Sequence, residues 1–195
     1  RGAWVEIESE SDGAIYVRID KKRKFPITSL LRVLGLATDE AILKAFNDHP
    51  EAKKVIEISL SKDSAKTQND AYVEIYKRLR DGDLATADHA KEFILSIFSK
   101  EKYDLSEVGR FKFNRRFGKG LGKADIEKRT VTADDIATIA RHIVTLNHTP
   151  KALPDDIDHL GSRRVRPVGE MMQQKVRVGM SQMKRNIQDR MSTID

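Results

Sequence analysis

The stretch DDIDHLGSRRVR sets Asp155, Asp156, Asp158 and His159 close to Arg163, Arg164 and Arg166. Three chemistries suit such a run. It can be a surface patch of mutual ion pairs. It can grip a molecule that offers both polar edges and phosphates, with the carboxylates accepting and the arginines donating. It can also ligate magnesium or zinc through the aspartates and the histidine. The metal is the weakest of the three, because four neighbouring residues rarely point at one ion and no second histidine stands at ligand spacing.

Other candidate chemistry is thinner. FGKGLGK, from Phe117 to Lys123, has the composition of a phosphate loop but lacks the Lys-Ser/Thr ending and a preceding strand. No nucleophile elbow or Ser/His/Asp order is visible. His49, His89, His142 and His148 are scattered, as expected of surface positions or helix ends. An enzyme acting by itself is therefore not expected. Trp4 lies on the Glu6 and Glu8 side of an alternating segment. It either packs under neighbouring protein or offers a face for stacking, and pattern alone favours the first.

The elements that must position these residues follow from periodicity. WVEIE and AIYVRID alternate on either side of SESDG and predict a β-hairpin, with Val5 and Ile7 facing Ile15, Val17 and Ile19. The hairpin runs into the cations Lys21 to Lys24. Pro26 opens a short helix carrying Ile27, Leu30, Leu31 and Leu34, which stops near Gly35. Thr38 is placed to cap a second helix, with Ile42, Ala45 and Phe46 inward. Residues 51–69 are ambiguous, and ISLSKDSAKTQND reads as polar and loop-like. Tyr72, Ile75, Tyr76 and Leu79 are helix-spaced, up to a stop at DGD. Thr86 caps the next helix, and Thr132 with Asp135 makes a box-like start to another that ends near His148. Pro150 and Pro154 mark a boundary. From about Val168 a long helix carries Met172, Val176, Met180, Met183, Ile187, Met191 and Ile194 as one apolar stripe, which predicts a core or interdomain face.

The fold class is thus α+β, mostly helical, with an N-terminal β-hairpin and a long C-terminal helix. The division falls between residues 1–150 and 151–195. The 195 residues suffice for one domain or a little more. The formal net charge of +6 suits a nucleic acid or an acidic partner. With no cysteine there are no disulfides or thiolate sites, which suits a reducing compartment. No apolar run is long enough to span a bilayer, so no membrane partner is expected. A start at Arg1-Gly2-Ala3-Trp4, already strand-like, reads as a piece of a longer chain. A stand-alone basic nucleic-acid-binding or regulatory protein is the alternative.

Taken in order, RGAWVEIE, VRIDKKRKFPITSLLRVLG, KYDLSEVGRFKFNRRFG and DDIDHLGSRRVRPVGEMMQQKVRVGMSQMKRNIQDRM resemble the beta subunit of bacterial DNA-directed RNA polymerase. The resemblance is collinear over nearly the whole chain and loosest over residues 47–70. It implies that residues 1–150 are that subunit's lobe and that residues 151–195 lead toward its protrusion. It implies a cytoplasmic nucleotidyltransferase whose metal-binding aspartates, and hence Mg2+, belong to the other large subunit. No catalytic residue, metal or cofactor is then expected in this chain, which would not be catalytic by itself. Implied partners are DNA in the downstream cleft, the other polymerase subunits and sigma factor. The family holds an unstacked non-template guanine in a pocket, and the matching positions here are Asp156, Ile157, Asp158 and Arg163. Trp4 matches a tryptophan that stacks on the neighbouring base. A further pocket arginine would lie upstream of Arg1.

Overall fold

The computed structural model describes residues 2–80, 86–153, 155–161, 163, 165–193. The expected helix stop at Asp81–Asp83, the boundary residue Pro154, Arg164 and the last stripe position Ile194 lie outside the described residues. The chain divides into two units, Arg1–Ala152 and Leu153–Asp195.

The first unit opens with β1 (Val5–Ser9) and β2 (Ile15–Ile19), an antiparallel hairpin pairing Val5 with Ile19 and Ile7 with Val17. Ile15, Val17 and Ile19 are buried, as the alternation requires. The hairpin is not the whole sheet. After a tight turn with Asp20 at φ 49° and Lys21 at φ 59°, a two-residue strand β3 (Phe25–Pro26) pairs with Tyr16 and Val17. Two residues ending in proline carry no alternation, so this strand leaves no sequence signal.

Among the described residues the helices of the first unit are α1 (Ile27–Val33), α2 (Asp39–Ala45), α3 (Pro50–Lys62), α4 (Gln68–Leu79), α5 (Ala87–Ile97), α6 (Ser106–Arg116), α7 (Lys123–Ile126) and α8 (Ala133–His148). Their starts follow from side-chain chemistry. Thr38, Thr67, Thr86 and Thr132 each accept a backbone N–H in the first turn of α2, α4, α5 and α8. Thr67–Asp70 and Thr132–Asp135 complete reciprocal capping boxes.

Helix α3 corrects the expectation of a loop-like segment. His49 caps it through Nδ1, which accepts the Ala52 N–H at 3.2 Å, and Pro50 fills the first turn, where its missing N–H costs nothing. Its inner face is Ala52, Ile56, Ser59 and Leu60. The serine looks polar in sequence yet belongs inside, because its hydroxyl accepts the Ile15 N–H at 3.0 Å and donates to the Val55 carbonyl at 2.9 Å. The other end of α3 meets the hairpin tip, where Lys62 hydrogen-bonds Asp12. That bond and the Ala14 N–H hold the Asp12 carboxyl down at about 2.

The core joins the inner face of the sheet to α1, α3, α4 and α8 through residues such as Leu30, Leu31, Ile56, Ile75, Ala140 and Val144. It also encloses polar groups. Asp63 accepts from Thr28 at 2.5 Å, Ser29 at 2.9 Å and the Ala65 N–H at 2.9 Å, which satisfies those three donors.

The second unit holds the 155–163 loop and α9 (Val168–Ser192). None of the α9 residues is buried within this chain, and Met172, Val176, Met180, Met183, Ile187 and Met191 are all exposed. The stripe expected from the sequence is present as an uncovered face.

Candidate nucleic-acid interface

The acidic loop of the second unit is ordered by its own side chains. Asp156 Oδ1 accepts the N–H groups of Asp158 at 3.2 Å and His159 at 3.1 Å, the local bonding that aspartate favours in turns. His159 Nδ1 in turn accepts the Gly161 N–H at 3.0 Å. Those two side chains brace the loop. Asp158 sits at the turn they make, with its carboxylate oxygen 3.8 Å from the Arg163 guanidinium and the two side chains 89% and 64% exposed. Ile157 beside it is 75% exposed. The loop therefore brings together four of the five expected site residues: Asp156 as brace, Asp158 and Arg163 as a facing charge pair, and Ile157 as an apolar neighbour. Arg163 also donates its N–H to the Leu160 carbonyl at 3.3 Å, which keeps it near the turn.

The metal alternative finds no support in the loop geometry. Among the described residues no three His, Cys, Asp or Glu side chains converge as a metal site, and Asp156 and His159 each direct an acceptor atom to backbone N–H groups.

Trp4 belongs to the first unit, just ahead of β1. Its backbone exchanges two hydrogen bonds with Asp20, donating to Oδ1 at 2.8 Å and accepting the Asp20 N–H at 2.8 Å. The indole N–H donates to Glu6 at 2.9 Å. Trp4 is thus fixed by the turn after β2 and its one donor has a partner, yet it stays 67% exposed. An anchored, exposed indole is suited either to cover by another protein surface or to stacking on a base.

Comparison with known proteins gives these features a context. The family model for RNA polymerase Rpb2, domain 2, matches residues 1–166. The chain belongs to that family. The domain 2 match takes in the hairpin with Trp4 and the whole 155–163 loop, and it ends just before α9. The chain is also 40% identical to the DNA-directed RNA polymerase subunit beta of Syntrophomonas wolfei, over all of this chain and 17% of that subunit. It is likewise 40% identical to the subunit of the same name from Dehalococcoides mccartyi, over all of this chain and 16% of that one. The chain therefore spans about a sixth of the length of these curated relatives.

Within this domain 2 chain, two features escaped the sequence reading. One is the bracing role of Asp156, for which the only sequence signal is an aspartate two and three residues ahead of the N–H groups it binds. The other is the solvent face of α6, whose residues are plain in the sequence but whose orientation depends on which side Arg110 and Asn114 bury.

Proposed function

We propose that the chain is a DNA-contacting module of bacterial RNA polymerase, lining the downstream cleft and holding a guanine of the non-template strand. Residues 1–150 are the beta-subunit lobe in this reading, and residues 151–195 lead toward the protrusion. One observation carries the assignment: Asp158 and Arg163 face each other, exposed, on a loop that Asp156 braces, inside the region matched to the family.

An unstacked guanine presents two adjacent donors, N1–H and the N2 amine, on its Watson–Crick edge. A carboxylate accepts both at once, and no other base presents that adjacent pair. Asp158 is the acceptor. Arg163 lies close enough to hold the neighbouring phosphate or stack on the base. Ile157 supplies an apolar surface beside it, and Trp4 is the residue that stacks on a base of the strand. The loose Asp158–Arg163 pair is in place before a base arrives, so each group exchanges a solvated partner for a nucleic-acid one.

This chain performs no nucleotidyl transfer by itself in the proposed role and binds no cofactor. The transfer and its metal ions belong to the other large subunit of the assembled enzyme. Partners are the remaining polymerase subunits, sigma factor and DNA, in the cytoplasm.

The test is the lifetime of open complexes formed by intact polymerase with guanine or adenine at the pocket position. Asp158→Ala should shorten the guanine complex toward the adenine one, a loss of about 1–3 kcal/mol of discrimination if the contact is worth what bidentate base readout is worth in a duplex groove. An unchanged guanine preference would rule out Asp158 as the reader.

A further inference from the structure

Helix α6 presents a mixed apolar and cationic face to solvent. Its buried side is Arg110 and Asn114. Arg110 donates to the Thr130 carbonyl at 2.5 Å and to Asp135 at 2.9 Å, and Asn114 donates to the Gly120 carbonyl at 2.7 Å. With that side fixed, the helical repeat places Val108, Phe111, Lys112 and Arg115 together in an outward arc of about 100°. All four are exposed, Val108 at 53% and Phe111 at 38%.

Glu107, in the first turn, is the one carboxylate of α6 itself. From Arg110 to Lys123 the sequence holds six cations and no carboxylate. At the start of α8 the exposed Asp134 and the buried Asp135 take Lys119 at 2.6 and 3.1 Å, and Asp135 also takes Arg110. The face thus sets a phenylalanine ring and a valine beside two exposed cations.

We propose that this face of α6 binds single-stranded nucleic acid, with Lys112 and Arg115 on the phosphates and Phe111 stacked on a base. An aromatic ring flanked by cations one and four residues on is the combination that holds single strands without sequence preference. A duplex keeps its bases stacked inside and offers nothing to Phe111, and an acidic peptide offers charge but no flat ring. This site is separate from the Asp158 loop: it uses other residues, lies in the first unit, and does not require a guanine.

The test uses the intact protein that carries this chain and a thymidine oligonucleotide of about 12 nucleotides, within the range one single-strand site covers. Substituted with 5-iodouracil and irradiated, the oligonucleotide should crosslink to Phe111, as read by mass spectrometry of the peptides. Phe111→Ala should lower affinity at this site about fivefold or more, matching the low end of one base–aromatic stack, and Phe111→Tyr should restore it. Replacing Lys112 and Arg115 together by Gln should flatten the salt dependence by about 0.7 for each phosphate that is no longer neutralised. Asp158→Ala should leave all of these readings unchanged, which separates this site from the guanine pocket. No crosslink on α6 would overturn the proposal. So would a duplex or polyglutamate competing as well as the single strand while Phe111→Ala changes nothing.

Discussion

Asp158 and Arg163 stand 3.8 Å apart across a tight turn, close enough to attract and too exposed to bind each other firmly. Exposed pairs of this kind contribute about 0–1 kcal/mol, because water and salt screen them and two long side chains must be ordered. Arg163→Ala and Asp158→Ala should each leave the stability of the folded protein within about 1 kcal/mol of the parent in thermal or denaturant unfolding. A larger loss would make the pair a structural element and remove the reason to assign it to a ligand.

The opposite holds for Arg110 and Asp135. Their 2.9 Å contact lies inside, with both side chains nearly inaccessible, and Asp135 also closes the capping box of α8 by accepting the Thr132 N–H at 3.1 Å. Asp135→Ala should destabilise the first unit by about 3–5 kcal/mol, since it leaves a buried guanidinium without its counter-charge. Chemical denaturation of the variant measures this.

The same residue gives a pH signature. Burial by itself would raise the Asp135 carboxyl. The hydrogen bonds from Arg110, the Thr132 N–H and Lys119 outweigh that and hold it below the ordinary aspartate value. A carboxyl lowered by folding stabilises the native state above the unfolded pKa, near 3.8, and loses that contribution as pH falls through the lowered folded value. The stability gap between the parent and Asp135→Asn should therefore be full at neutral pH and shrink below about pH 4. A gap that widens on acidification would contradict the assignment.

Ser59→Ala tests the helix that the sequence concealed. It removes the acceptor of the buried Ile15 N–H and should cost about 1–3 kcal/mol, the penalty of an unsatisfied buried donor. A neutral outcome would mean that the hairpin and α3 do not depend on this bond.

Much of the architecture could be read from residue types. The hairpin, α1, α2, α4, α5, α8 and α9 follow from alternation, helical spacing and threonine caps, because each gathers its apolar residues on one regular face. Helix α3 could not be read this way, because Ser59 faces inward to satisfy a strand N–H and His49 is an uncommon cap. The strand β3 is too short to carry a pattern. At the candidate site the charged residues were visible as types in a row. Which of them brace the loop and which face outward was not, since Asp156 and Asp158 are the same residue type and only the turn geometry separates their roles.

The most direct measurement of the central claim replaces the pocket guanine of the non-template strand with inosine, which keeps N1–H and lacks the N2 amine. In intact polymerase, open-complex lifetime should fall from guanine to inosine to adenine, because a base seated as guanine is offers Asp158 two donors, then one, then none, adenine carrying its amine where guanine has O6. In Asp158→Ala the three should converge. If instead Asp158→Ala shortens all three lifetimes by the same factor and leaves the preference for guanine intact, Asp158 does not read the base, and DDIDHLGSRRVR is a surface ion-pair patch.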